Sequence, residues 1–295
     1  MRYETPAAFR DALLARLRRQ AETQGVSVER LRKRVVFERL LARLIQVASG
    51  RWALKGALAL DFRLPVRARA TKDADLVTEA DVEQLTDDLV AATRVDLGDH
   101  FVFRTGRVRD VDGEQPEPTV RFHVTVEVAG RLFDEATLDV AVNADPEWQP
   151  QIVTSHLLGF ADLPPVEIPV IPPEVHVAEK THAYTRLYGA GAEPSTRSKD
   201  LVDLIVIVET TALLAAELRA ALERVFKGRG THPLPATLPS PPGDWAVPYR
   251  TLAGEIGIES DLQGGYREVA VCLNPILSGE ARGRWNPAER RWAVG

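Results

Sequence analysis

Two aspartates separated by one residue carry the most direct chemical implication in this chain. Asp73 and Asp75 lie in Asp73-Ala74-Asp75-Leu76-Val77, a run apolar enough to form a strand. Residues i and i+2 of a strand point to the same face, so the two carboxylates would stand side by side, about 7 Å apart at the backbone for a rise of about 3.3 Å per residue. That separation lets both reach one Mg²⁺ or a close pair of ions, and Mg²⁺ is held by a few carboxylates together with phosphate oxygens and waters. On a helix the same pair would diverge by about 200° and could not share an ion. A solvated strand end is the other reading of an isolated Asp-x-Asp. A second such pair, Asp110-Val111-Asp112 beside Gly113, Glu114 and Pro116, has the composition of a loop.

The residues around the first pair add to the metal reading. Trp52-Ala53-Leu54 reads as a short buried strand. Lys55-Gly56 follows, and Gly56 permits a sharp turn and close approach of a ligand to the backbone. Ala57 to Phe62 then forms a helical turn or two, and Arg63, Arg67, Arg69 and Lys72 make the next loop basic. Farther on, Asp139 interrupts the strand-like Ala136–Val142. A carboxylate amid apolar residues needs a partner, because burying it alone is costly. It is either one half of a structural ion pair, or the third carboxylate of a metal site acting as general base on an attacking hydroxyl. Lys180 shares a helical face with Val177 and Tyr184, so its ammonium either snorkels to the surface or points into a cleft at an anion. Thr71 would share the face of Asp73 and Asp75 if their strand extends back to it. It is then either a β-branched strand former or a hydroxyl whose phosphorylation, adding a charge of about −1.5 to −2, would repel substrate or capture Mg²⁺.

These residues need elements to position them. Thr5-Pro6 opens a helix with an N-cap hydroxyl and a first-turn proline, and Gly25 stops it. Ser27 opens a second helix with Leu31, Val35, Leu41, Leu44, Ile45 and Ala48 as its apolar stripe; its cluster Arg30, Arg32, Lys33 and Arg34 reads as a solvated face. Asp81 to Arg94 is amphipathic, with Val82, Leu85, Leu89 and Ala92 on one side. Strand patterns follow over Phe101–Val108, Thr119–Val128 and Ala136–Val142. The proline-dense Leu163–Pro173 reads as an extended linker. Beyond it come a helix from Pro173 to Tyr188, a loop from Gly189 to Ser198, helical patterns over Lys199–Val208 and Thr211–Phe226, a loop from Gly228 to Pro248, a last helix over Asp261–Leu277 and a basic tail.

Composition bounds the rest. The 295 residues suffice for two domains, expected over 1–162 and 163–295. A net charge of −5 excludes wholesale nucleic-acid coating and leaves only local basic patches. Cys272 is the single cysteine, which excludes internal disulfides and fits a cytoplasmic protein. The charged N-terminus has no signal-peptide core, and no apolar run reaches the ~20 residues a membrane span needs.

Taken in order, a strand, a glycine turn, a helix, an Asp-x-Asp strand and a later carboxylate resemble the polymerase-β-like nucleotidyltransferase core. Glu179-Lys180-Thr181-His182-Ala183, followed by Arg197-Ser198-Lys199-Asp200-Leu201-Val202-Asp203-Leu204, is similar to the Lys and Arg-x-x-Asp-x-x-Asp helices of the AbiEii/AbiGii toxins. The two N-terminal helices and His232-Pro233 resemble the MenT-type subset.

The resemblance implies an α/β fold: a polymerase-β-like core with a mixed sheet, plus a mainly helical C-terminal lobe. By it, Lys55, Gly56 and Ala57 meet the nucleotide phosphates, Asp73 and Asp75 hold Mg²⁺, Asp139 completes the metal site or acts as base, Lys180 steers the triphosphate, and Asp200 holds Lys180 or the nucleotide. Ala57 departs from the Gly or Ser usual after the first glycine, which removes a hydroxyl contact and keeps a backbone N–H. The implied activity is a toxin moving a nucleoside monophosphate from an NTP onto an RNA 3′ end, with the tRNA acceptor stem as expected target and a cognate antitoxin as partner. In the MenT-type relatives a hydroxyl at the place of Thr71 is phosphorylated by the antitoxin, and the resemblance implies the same here. A small-molecule or protein hydroxyl as acceptor, or a non-catalytic binding role made conceivable by Ala57, stay open.

Overall fold

The computed structural model describes residues 1–65, 67–110, 118–144, 147–188, 193–194 and 197–293. The chain forms two compact units: Met1–Val66 with Ala70–Ile171, and Arg67–Arg69 with Pro172–Gly295.

The first unit opens with α1 (Pro6–Gln24) and α2 (Val28–Ala48), whose N-caps are Thr5, accepting from Ala8 N–H, and Ser27, accepting from Arg30 N–H. Gly25 ends α1 in the left-handed region, as glycine does without a Cβ penalty. There follow β1 (Trp52–Lys55), α3 (Gly56–Arg63), β2 (Asp73–Thr78), α4 (Val82–Arg94), β3 (Phe101–Asp110), β4 (Thr119–Val128), β5 (Arg131–Ala141), β6 (Gln151–Ser155) and β7 (Val166–Val170). Among the described residues the seven strands form one mixed sheet in the order β3-β4-β5-β2-β1-β7-β6. The alternation of β4 explains its place: Val120, Phe122, Val124, Val126 and Val128 are buried while the residues between them are not. They join Leu54, Ala74, Leu76, Leu138 and Val140 in one core with Phe9, Leu13, Val36, Phe37, Leu40 and Leu89. The opposite face is left for polar side chains.

Four expectations change here. The basic cluster on α2 is not a solvated face. Arg30 and Arg34 are buried against Asp61 of α3, and Arg32 and Lys33 pair with Asp134. Deeper along α2, Arg39 and Arg43 grip the buried Asp99, and Glu38 accepts from Ser155 and from the Leu157 N–H. Removing one partner of such a pair strands a buried charge, at a cost of about 3–5 kcal/mol. Val82 at the start of α4 is exposed rather than on its buried face. The proline-dense segment is β7 rather than a linker: Val166, Ile168 and Val170 alternate inward, and the unit runs on through Ile171. Of the second Asp-x-Asp, Asp110 ends β3, and residues 111–117, on which the loop reading falls, lie outside the described residues.

The second unit is mainly helical: α5 (Pro173–Thr185), α6 (Ser198–Thr210), α7 (Ala215–Arg229), α8 (Ala246–Ile256) and α9 (Leu262–Leu277), with the short pairs β8 (Leu187–Tyr188) to β9 (Glu193–Pro194) and β10 (Arg284–Asn286) to β11 (Arg291–Ala293). The helix expected to run on from Thr211 breaks. Residues 211–214 are extended because Trp285 N–H bonds the Leu213 carbonyl and Leu214 bridges Arg284. Trp285 is buried, and its indole N–H donates to the Val208 carbonyl at 2.7 Å. The Gly228–Pro248 loop yields to a 3₁₀ turn at Gly243–Trp245 and to α8, which holds Pro248. No helix among the described residues is long and apolar enough to cross a membrane.

Candidate active site

Four charged residues stand abreast across the sheet of the first unit. Lys55 of β1 is in register with Asp75 of β2, Asp75 with Asp139 of β5, and Asp139 with Arg121 of β4. Register partners on neighbouring strands project from the same face, so one row reads plus, minus, minus, plus. Two residues along, Asp73 pairs with Thr137 and Thr137 with His123, a second polar row on the same face. Two residues the other way, Ala53, Val77 and Ala141 form a small apolar cluster with Ile171, against which Trp148 packs. The sequence Asp-Ala-Asp-Leu-Val-Thr produces this division: Ala74 and Leu76 enter the core, and Asp73, Asp75 and Val77 face away from it.

Gly56 shapes the space beside Asp75. Its φ is +66°, and a Cβ there would lie 2.0 Å from Asp75 Oδ2 and 2.8 Å from its Cγ. The carboxylate therefore rests against the glycine that starts α3, where the first N–H groups of a helix lack intrahelical partners. Lys55 is the N-cap and its side chain makes no cap hydrogen bond; Ala57 is buried. The ion pairs from Arg30 and Arg34 to Asp61 tie α3 to α2 and so fix this turn.

Asp139 has a partner. Arg121 donates from Nε to Oδ1 at 2.7 Å and from Nη2 to Oδ2 at 2.6 Å, a bidentate clamp. The pKa of Arg121 is raised, first by this hydrogen bond to Asp139; burial opposes it, and the charges of Asp139, Asp73 and Asp75 add to the rise. Asp139 is thus both ion-paired and abreast of Asp75. Asp73 is exposed and Asp75 half-buried. Two adjacent carboxylates beside a glycine cradle suit a hard, oxygen-seeking divalent cation such as Mg²⁺. Among the described residues no group of three or more His, Cys, Asp or Glu side chains is gathered to hold a metal ion. The set this face offers as it stands is therefore Asp73 with Asp75.

Thr71 lies outside β2, which begins at Asp73; its hydroxyl donates to the Asp73 carbonyl at 3.0 Å. The strand does not extend back to Thr71, so the shared face with Asp73 and Asp75 that such an extension would give is not formed. The basic loop is also engaged. Arg63 donates to the Ile171 carbonyl at 2.8 Å and to Gln151, Arg67 pairs with Glu209 and Arg69 with Asp203. Lys72 is exposed.

Lys180 and Asp200 lie in the second unit. Lys180, buried on α5, meets Asp200 at 3.0 Å and Asp203 at 2.7 Å, both buried on α6. Arg197 reaches Asp200 at 2.6 Å, and Arg69 grips Asp203 through two hydrogen bonds of 3.0 and 3.1 Å. Burial opposes charge on Lys180, yet Asp203 and Asp200 outweigh it and its pKa rises. Burial likewise opposes charge on Asp203, but Lys180 and Arg69 pull it down to about 2. The cluster balances two buried carboxylates with three cations.

The structure gathers Lys55, Gly56, Ala57, Asp73, Asp75 and Asp139 in one unit, and Lys180 with Asp200 in the other. The sequence reading missed Arg121 as a member of the first group. The signal was present: strict alternation in Thr119–Val128 puts Arg121 and His123 on the polar face, but only the register shows which carboxylate they meet.

The sequence pattern of nucleotidyl transferase AbiEii toxins of type IV toxin–antitoxin systems matches residues 39–267. Among solved structures, the chain is similar to MenT4, a nucleotidyltransferase toxin from Mycobacterium tuberculosis H37Rv, with a TM-score of 0.56 at 18% identity over 92% of this chain and 99% of that one. It is also similar to JHP933 from Helicobacter pylori, with a TM-score of 0.45 at 14% identity over 86% and 94%. At these identities the likeness to solved structures is one of fold. The likeness to MenT4 bears out the α/β nucleotidyltransferase architecture. No curated protein sequence matches the chain.

Proposed function

The chain belongs to the AbiEii family of nucleotidyl transferase toxins of type IV toxin–antitoxin systems, and from that premise we propose that it transfers a nucleoside monophosphate from an NTP to the 3′-hydroxyl of an RNA in the cytoplasm, with the tRNA acceptor stem as target. Blocking that end would stop aminoacylation and translation. Family membership carries a nucleotide substrate and an antitoxin partner with it.

The observation that supports the site is the charged row Lys55, Asp75, Asp139 and Arg121 with Asp73 beside it. In this reading the backbone at Gly56 and Ala57, together with Lys55, binds the phosphates. The left-handed turn at Gly56 starts α3 beside Asp75, so the first N–H groups of that helix would meet the phosphates next to the metal ligands. Asp73 and Asp75 would hold Mg²⁺. Bound there, the ion would neutralise charge developing on the phosphoryl oxygens and orient the triphosphate. Asp139 is the adjacent carboxylate, available as a third ligand or as base only when Arg121 lets it go. Lys180, oriented by Asp200 and Asp203, supplies positive charge for the triphosphate. In the transfer, the acceptor hydroxyl gives its proton to solvent water, its oxygen bonds to the α-phosphorus, the α–β bridging P–O bond breaks, and pyrophosphate leaves.

A second reading has a specific observation behind it. Arg63, Arg67 and Arg69 already have partners within the chain, which reduces the basic surface open to an RNA backbone and favours a small-molecule or protein hydroxyl as acceptor. Labelled NTPs offered with purified tRNA and Mg²⁺ separate the two. The RNA reading expects label at 3′ ends, none on periodate-oxidised tRNA, and binding that weakens steeply with salt. Undiminished labelling of oxidised tRNA would exclude the 3′-hydroxyl.

A further inference from the structure

Arg121 is more than the partner that makes Asp139 tolerable in a strand. The clamp is bidentate and lies at the surface of the polar face: the Arg121 side chain is 41% exposed and that of Asp139 18%. A lone structural pair would serve as well anywhere on the sheet, yet this one occupies the same transverse row as Asp75. Both oxygens of Asp139 already accept from the guanidinium. A second divalent ion shared between Asp75 and Asp139 would compete with that guanidinium for the same oxygens. Bidentate charge-assisted pairs are the strong ones, and a guanidinium cannot be deprotonated to release its partner. The charges of Asp73 and Asp75 also favour it where it stands.

We propose that Arg121 is a resident cation of this centre, clamping Asp139 where a second divalent ion would otherwise bind, so that the site takes one divalent ion, at Asp73 and Asp75. This rests on the reading that those two aspartates bind a metal–nucleotide. The positive charge that a second ion would contribute comes instead from the protein. The clamp uses Nε and Nη2 of Arg121 and leaves Nη1 to donate to a phosphate oxygen of the nucleotide or acceptor. Asp139 then serves as the anchor of Arg121 and not as a metal ligand.

The test counts ions rather than turnovers. Full-length protein, saturated with a non-hydrolysable NTP analogue, is dialysed to equilibrium against Mn²⁺ and the same analogue, and bound ion is read as the excess Mn²⁺ on the protein side. The wild type is expected to bind one Mn²⁺ per chain. Arg121→Ala, which frees Asp139, is expected to bind two, and Arg121→Gln, which keeps a polar side chain without the charge, the same. Adding Asp139→Asn to either variant should return the count to one. Asp73→Asn should weaken the first ion at least tenfold in every background. Two ions in the wild type, or one in both Arg121 variants, would overturn the resident-cation assignment while leaving the Asp73/Asp75 site standing. A wild type indistinguishable from Asp73→Asn would remove that underlying site, and this assignment with it.

Discussion

Asp75 and Gly56 leave no room for a methyl group between them: a Cβ at position 56 would meet Asp75 Oδ2 at 2.0 Å. The turn and the carboxylate therefore share one constraint, and Gly56→Ala is expected to break both. The left-handed φ of +66° costs a non-glycine residue about 1–2 kcal/mol, and Asp75 must move as well. We expect a melting temperature lowered by a few degrees and loss of metal–nucleotide binding together. Near wild-type transfer by Gly56→Ala would show that Asp75 does not depend on the turn.

Asp73→Asn and Asp75→Asn should behave differently from a packing defect. Asp73 is exposed and Asp75 half-buried, and each substitution removes one of two adjacent like charges. Transfer should fall below detection while thermal stability stays level or rises slightly. An Asp73→Asn protein with near wild-type transfer would remove that residue from the site.

Much of this arrangement was legible because its causes are local. Thr5, Ser27, Asp81 and Asp261 each cap the helix that follows within three residues, and the alternation of β4 needs no other part of the chain. The misreadings have distant causes. Arg30 and Arg34 resemble a solvated face until Asp61 of α3 meets them, and Arg32 and Lys33 until Asp134 does. β7 looks like a linker because prolines dominate its composition, while its alternation shows only once β6 and β1 flank it. The α6–α7 break at 211–214 depends on Trp285, far along the chain. Asp139 could be recognised as a residue in need of a partner, but the identity of Arg121 follows only from strand register.

The second unit should lose stability in mild acid. His182 is buried between Phe226 and His232, bonded to the Thr231 hydroxyl at 2.8 Å. Burial first, then the charges of Arg229, His232 and Arg186 against that of Glu179, lowers its pKa to about 3 from an ordinary 6.5. Between those values the unfolded chain binds a proton that the folded one refuses, so stability falls as pH drops below 6.5. The loss is about 2 kcal/mol at pH 5 from this group alone. His232, lowered by burial and Arg186, adds in the same direction. Asp203, depressed to about 2, contributes stability that is lost only as pH falls below about 3.8, outside this window. Thermal melts at pH 7.5, 6 and 5 should show the decline, with a shallower slope for His182→Gln. A wild-type melting temperature level from pH 7.5 to 5 would contradict it.

Thr71 lies just outside β2. Its hydroxyl donates to the Asp73 carbonyl at 3.0 Å, and phosphorylation would abolish that donor. It would also add a charge of about −1.5 to −2 at neutral pH, with three acceptor oxygens, two residues from Asp73. Beside Asp73 and Asp75 such a group would repel an incoming triphosphate or draw the metal from its ligands, silencing transfer without unfolding the protein. We therefore expect the cognate antitoxin, if it acts by modification, to phosphorylate Thr71. Co-expression followed by intact mass and peptide mapping should find one added phosphate on the Thr71 peptide of the inactive toxin, and a Thr71→Val toxin should escape neutralisation. An inactive toxin with unmodified Thr71, or a Thr71→Val toxin still neutralised by modification elsewhere, would place control at another residue.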